Sequence, residues 1–171
     1  MTDFLELAGR RYTCRKYSPK ALEQGLLDKL LEAGRLAPSA KNRQPWHVWV
    51  LRSEEALSKV RRLTGSTYGA PLVLAVGFDP SQGWVRESDG KNKAEMDSII
   101  MATHIMLEAE DLGLGCTWIG SYEPSELYEA FPEMAGCEAQ VLLALGYRAE
   151  DAHPGPWHPL RKSLDDIVTE L

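Results

Sequence analysis

Two short stretches of the chain carry polar side chains at spacings that ordinary turns do not require. In "RRYTCRKYS", residues 10–18, Arg11 and Arg15 stand four residues apart with the Thr13 hydroxyl between them. On a helical turn such a pair projects from one face. Two guanidiniums and a hydroxyl suit an oxyanion, either a phosphate or a ring carbonyl that carries negative charge. The same residues also suit a helix C-terminus whose cations complement the dipole. In "LAPSAKNRQPWHVWV", residues 36–50, Ser39 supplies a hydroxyl, and Asn42 and Gln44 supply planar amides. Amides that donate and accept in one plane match the edge of a heterocycle whose carbonyls and ring nitrogens alternate. An Asx-type turn feeding a strand accounts for Asn42 but gives no reason for Gln44-Pro45-Trp46.

Charge is distributed in keeping with an anion site. The 171 residues carry a net −6, yet residues 1–62 hold 13 of the 19 Lys and Arg against 7 Asp and Glu. The remainder holds 6 basic and 18 acidic residues. A basic N-terminal third in an acidic protein points to a local anion site; a solvated helix face is the plainer alternative. The acidic total speaks against non-specific nucleic-acid binding.

Other chemistries lack their residues. No G-x-G-x-x-G follows the first strand, and no P-loop, H-E-x-x-H or G-x-S-x-G occurs. Cys14, Cys116 and Cys137 have no C-x-x-C spacing and read as reduced structural thiols rather than a disulfide framework or zinc site. His47, His104, His153 and His158 have no metal-ligand spacing, and His104 reads as a core-edge histidine of a helix. There is no apolar run of about 18 residues or more, so no membrane span is expected. The opening "MTDFLELAGRR" lacks a basic n-region and an apolar h-region, so the expected location is cytoplasmic.

The elements that must position these residues follow from hydrophobic spacing. Thr2 and Asp3 cap a short helix to about Arg10, and leucines at helical spacing predict a second helix over 22–36. "WHVWVL" (46–51) reads as a strand, 53–63 as a helix, and "PLVLAVGF" (71–78) as a strand buried on both faces. Residues 79–93 form the longest loop. A long helix over 94–112 is expected to turn Ile99, Ile100, Thr103, Met106, Leu107 and Leu112 to the core. A strand (116–120), a helix (124–131), a buried strand (140–147) and a closing helix (164–171) complete the chain. Strands alternating with helices over this length predict one mixed α/β or α+β domain spanning 1–171.

In this arrangement the chain resembles the FMN-dependent nitroreductase family, in a short form. "RYTCRKY" (11–17) is similar to the family's opening R-[RH]-S-x-R-x-[FY], and "APSAKNRQPWHVWV" (37–50) to A-P-S-x-x-N-x-Q-P-W with an apolar strand after it. "EAEDLGLGCTWIGSY" (108–122) is similar to A-x-x-L-G-L-G-x-x-W-I-G, and "LLALGYRAE" with "PLRKSLDDIV" (159–168) to the closing pieces. The second motif is the most specific, and the four stand in register.

The resemblance implies an α+β, three-layer fold with a mainly antiparallel sheet, an interlocked homodimer and two FMN sites at its interface. It places Arg11, Thr13 and Arg15 on phosphate, ribityl or the flavin pyrimidine, with Tyr12 contributing mainly backbone. It brings the Pro38-Ser39-Ala40 turn across from the other subunit, with Asn42, and Gln44 beside it, at the pyrimidine side. It lines the ring with Trp118, Ile119 and Gly120 and sets a backbone N–H near the flavin N5. Arg161 neutralises phosphate, and Lys162 is a weaker candidate. The implied activity is ping-pong hydride transfer from NAD(P)H through FMN to a nitroaromatic, quinone or similar acceptor. Alternatives are activated-alkene reduction or dehalogenation on the same fold, a flavin-storage module, and a flavin-free interaction protein. Such chemistry needs no protein nucleophile, metal or positioned base, because the flavin itself accepts hydride. Tyr12 stands where the family often has a second basic residue, Thr13 keeps the hydroxyl of its serine, and the short 79–93 loop implies a reduced lid.

Overall fold

The architecture comes from a computed structural model that describes residues 3–171. The Thr2 part of the expected first cap lies outside the described residues. Asp3 caps α1 (Phe4–Arg10), its side chain accepting from the Leu5 amide. Then follow α2 (Gln24–Arg35), β1 (Trp46–Leu51), α3 (Glu54–Leu63), β2 (Leu72–Phe78), α4 (Ala94–Asp111), β3 (Gly115–Ile119), α5 (Pro124–Ala130) and β4 (Glu138–Gly146). Ser53 caps α3 by accepting from the Ala56 amide.

The four strands form one antiparallel sheet in the order β1-β2-β4-β3. Strand periodicity then sorts the side chains to two faces. Leu72, Leu74 and Val76 of β2, with Val141, Leu143 and Leu145 of β4, meet α2 and α4. Val73 and Ala75, with Leu142 and Ala144, meet α3, α5 and Phe131 on the opposite face. The fold is therefore α+β in three layers. Every residue of β2 is buried, which is why this strand reads as an unbroken apolar run although its partners are antiparallel.

Two expectations are corrected. The stripe of α4 that is buried comprises Ala94, Asp97, Ser98, Met101, Ala102, Ile105, Ala109 and Glu110. Ile99, Ile100, Thr103, Met106 and Leu107 are half-buried instead, although Ile100, Met106 and Leu112 do pack against the core's margin. This helix is apolar around most of its circumference, so spacing alone does not choose a face; the small side chains are the ones that fit close to the sheet. The second correction concerns 164–171, which holds a turn over 164–167 rather than a helix. Leu164 and Ile167 are 72% and 62% exposed, so no packing surface repays helix formation in so short a segment.

The segment that follows α1 docks on the outer edge of β3. The Cys14 amide donates to the Cys116 carbonyl at 3.1 Å, and the Thr117 hydroxyl donates to the Cys14 carbonyl. Ser18 continues the docking by donating to Tyr147 of the β4 end at 2.9 Å. Gly115 permits this approach: a Cβ there would lie 2.6 Å from Cys14 Sγ and 2.8 Å from Cys14 Cβ. Gly115→Ala is therefore expected to cost about 1–3 kcal/mol through overpacking. Urea unfolding of the two proteins checks this, and an unchanged midpoint would refute the close docking.

Candidate functional site

Both ends of the chain build one groove. Arg11, Tyr12, Thr13, Arg15 and Lys16 form one wall, and residues 152–161 form the other, around a space of about 560 Å³. Arg161 reaches this groove from the second wall, where its Nη1 donates to the His158 and Leu160 carbonyls. Of the residues proposed from sequence, the structure thus gathers Arg11, Tyr12, Thr13, Arg15 and Arg161. It adds Lys16, His153, Gly155, Trp157 and His158, which sequence reasoning left out. The packing at Gly155 is tight, since a Cβ there would lie 3.3 Å from Arg15 Nη1. Only the basic character of the first third hinted at Lys16; neither histidine has a neighbour in sequence that signals its place.

Tyr12 is fixed from behind. Its ring is buried under the Arg148 guanidinium, 4.8 Å from the ring centre, and meets His158 edge-on at 6.3 Å. Arg148 in turn bonds Glu110, which is 4% exposed and also pairs with Arg10 at 3.3 Å. A buried carboxylate between two guanidiniums is held by opposite charge on both sides, and it clamps α1's end to α4. Burial pushes the Tyr12 hydroxyl above its ordinary range.

The second polar cluster stands apart: none of Pro38, Ser39, Ala40, Asn42 or Gln44 lines this groove of their own chain. Ala40–Asn42 forms a single helical turn after α2. Ser39 Oγ accepts from the Gln44 amide at 2.9 Å, and Gln44 Nε2 donates to Asn42 Oδ1 at 3.1 Å. Gln44 thus braces Asn42. Lys41, Asn42 and Gln44 all have φ near +50°, at 54°, 54° and 51°. Such left-handed backbone is strained for residues with a Cβ and persists only where the surroundings over-determine it.

On β3, Trp118 is half-buried against the α2–α4 core, while Ile119 is buried among the residues of the opposite face. The Ile119 side chain is therefore committed to packing, and the residue pairs with Leu142 in the sheet. Gly120 follows the last paired residue of β3 and is exposed. Lys162 is exposed and does not line the groove. His104 Nδ1 lies 3.3 Å from the Ala33 carbonyl oxygen, joining α4 to α2 at the edge of the core.

The thiols are bystanders. Cys14 and Cys116 are buried and unpaired, and Cys137 is half-buried. Burial raises the Cys14 thiol and pushes Cys116 up to about 12. None of them forms a thiolate nucleophile at neutral pH.

Comparison with known proteins identifies the family and the fold. The profile of the nitroreductase family matches residues 8–68 and 58–147. A relative from Methanothermobacter thermautotrophicus, provisionally named an NADH dehydrogenase/NAD(P)H nitroreductase, is 31% identical over 87% of this chain and 79% of its own. The crystal structure of a nitroreductase family protein from Clostridium difficile 630 is 33% identical, with a TM-score of 0.91 and 98% of each chain covered. A structure from Exiguobacterium sibiricum, solved in complex with FMN, has a TM-score of 0.85 at 24% identity, covering 100% of this chain and 98% of that one, and supports the fold.

The burial of Cys116 gives a pH dependence. An unfolded chain loses this proton near the ordinary value of 9.0, whereas the native protein keeps it until about 12. Above about pH 9 the unfolded state binds fewer protons than the native one, so stability falls as pH rises. Urea midpoints are expected to decline steadily from about pH 8 to 10. In the folded protein a thiol reagent is expected to label Cys137 first, and Cys14 and Cys116 only after unfolding. Equal labelling of all three without denaturant would contradict the docking of residues 12–18 on β3.

Proposed function

The chain belongs to the nitroreductase family, and from that premise we propose that it is a homodimeric, FMN-dependent oxidoreductase fed by NAD(P)H. Its acceptor is a small electron-poor molecule, such as a nitroaromatic or a quinone. The observation that carries this reading is the convergence of Arg11, Thr13, Arg15 and Arg161 on one groove from opposite ends of the sequence. That donor set fits FMN: it is cationic and hydroxylic, it holds no carboxylate, and it is large enough for a phosphate with its ribityl chain.

In this reading Arg15 and Arg161 hold the phosphate as charge-assisted donors. Arg11 and Thr13 face the ribityl chain and the pyrimidine edge, where Arg11 stabilises the negative charge that reduction brings. The backbone at Ile119–Gly120 directs an N–H toward N5, and Trp118 borders the ring. FMN held there would supply the hydride chemistry that links NAD(P)H to the acceptor, in ping-pong fashion. The residues of the chain bind, orient and neutralise charge; no side chain is required to move a proton for the hydride step.

A homodimer follows from what a single chain leaves unfinished. The Pro38–Gln44 loop does not line its own groove, and when supplied by the partner it closes the open side between the two walls. The half-buried face of α4, with Ile99, Ile100, Met106 and Leu107, supplies an apolar interface. The tail beyond Trp157 exposes Leu160, Leu164, Ile167 and Val168. Laid on the partner, these residues are buried, and the two chains interlock. The 79–93 segment carries no helix or strand, which supports a reduced lid.

Purified protein is expected to show flavin absorbance near about 450 nm that bleaches anaerobically with NADH or NADPH. Bound flavin that neither nucleotide reduces would favour a storage role, and colourless protein that does not take up added FMN would refute the reading. Arg15→Ala and Arg161→Ala are each expected to weaken FMN binding by roughly one to two decades, with little effect on turnover of flavin still bound. Arg11→Ala is expected to lower the flavin potential and slow reduction more than it weakens binding. Titration of the apo-variants and redox potentiometry separate these cases. Sedimentation is expected to show a dimer; a monomer retaining tight FMN would overturn the shared site.

A further inference from the structure

Asp97 lies in the first turns of α4, outside the groove, and the proposed reaction has no use for it. The residue is 3% exposed. Its Oδ1 accepts the Ala40 amide at 3.0 Å, and its Oδ2 is buried with no hydrogen-bond partner among the described residues. A carboxylate buried on one neutral amide is a poor choice if packing is the only requirement, because an apolar side chain would fill the space without desolvating charge.

The purpose of this carboxylate is visible in the loop it holds. The Ser39–Gln44 loop is closed mostly by its own bonds: the Asn42 amide to the Ser39 carbonyl, the Arg43 amide to the Ala40 carbonyl and the Gln44 amide to Ser39 Oγ. These bonds shape the loop but do not fix it to the domain. At its far end the Asp79 amide donates to the Pro45 carbonyl at 2.8 Å. At its near end the tie is Asp97, placed one residue before the left-handed pair Lys41 and Asn42. Strained backbone relaxes toward negative φ when a restraint is lost, and that relaxation turns the Asn42 amide away.

We propose that Asp97 is a positioning residue, which tethers the Ser39–Gln44 loop so that Asn42 meets the flavin of the neighbouring protomer; this rests on the FMN reading given above. Asp97 touches neither cofactor nor substrate and acts through the Ala40 amide.

Two measurements on Asp97→Ala and Asp97→Asn test the tether. Hydrogen exchange of the apo-protein reads the loop without cofactor, and FMN titration with visible circular dichroism reads the bound ring. In Asp97→Ala, exchange at residues 40–44 is expected to rise by about tenfold or more while the middle of α4 stays protected. FMN affinity is expected to fall by about tenfold, with an altered dichroic band. Asn keeps an acceptor for the Ala40 amide, so Asp97→Asn is expected to stay within about threefold of the parent in both. Parent-like loop exchange in Asp97→Ala overturns the proposal even if FMN binds. So does an Asn variant as impaired as the Ala variant, since Asn retains both the volume and the acceptor for the Ala40 amide. A parent that binds no FMN would refute the cofactor reading instead, leaving the tether to be judged by exchange alone.

Discussion

The outer edge of β3 is the constraint on which the rest of the molecule depends. An edge strand presents unpaired amides and carbonyls that must be covered, and residues 12–18 cover this one. The Cys14 amide and the Thr117 hydroxyl join the two segments, and the Tyr17 hydroxyl, 2.8 Å from Thr117 Oγ1, reaches past β3 to donate to the Ala144 carbonyl of β4 at 2.9 Å. That pairing fixes the register of the segment. Because side chains alternate along extended backbone, burying Cys14 turns Thr13 and Arg15 outward to the groove. The geometry of the cation set is thus a by-product of satisfying a sheet edge.

A second layer of support comes from charge. Glu110 is buried between Arg10 and Arg148, and Arg148 covers the Tyr12 ring. A buried ionic cluster is a weak source of net stability, since desolvation offsets most of the attraction. Its value here is positional: it joins the end of α1, the middle of α4's last turn and the start of the tail around one tyrosine. The Lys41–Gln44 backbone shows the same preference for placement over economy, with three left-handed residues that possess side chains.

How much of this was legible in the sequence depends on how local each feature is. Strands β1, β2 and β4 announced themselves because apolar runs bounded by Pro, Gly and Asp report burial directly. The pairing of Arg11 and Arg15 with Arg161 was readable only through motif order, since no periodicity connects residues about 150 apart, whereas Asn42 and Gln44 stood out by their own amides. The expected closing helix failed because apolar spacing at Leu164, Ile167 and Val168 reports a surface to be covered, not the partner that covers it. The core face of α4 was misjudged for a related reason: a helix with two apolar faces contains no internal signal for which one meets the sheet. Asp97 and Glu110 were invisible, because a buried acid looks in sequence like any other acid of a helix.

The groove has one wall near each end of the chain, and that has a consequence for biosynthesis. Translation releases Arg11 early and Arg161 late, with the whole sheet emerging between them. All four strands are translated before the wall around residues 152–161. A chain terminated before residue 152 would thus lack one wall of the groove. A ligand that needs both walls binds only after synthesis has run through them, and ligand-linked stabilisation favours chains that have completed them.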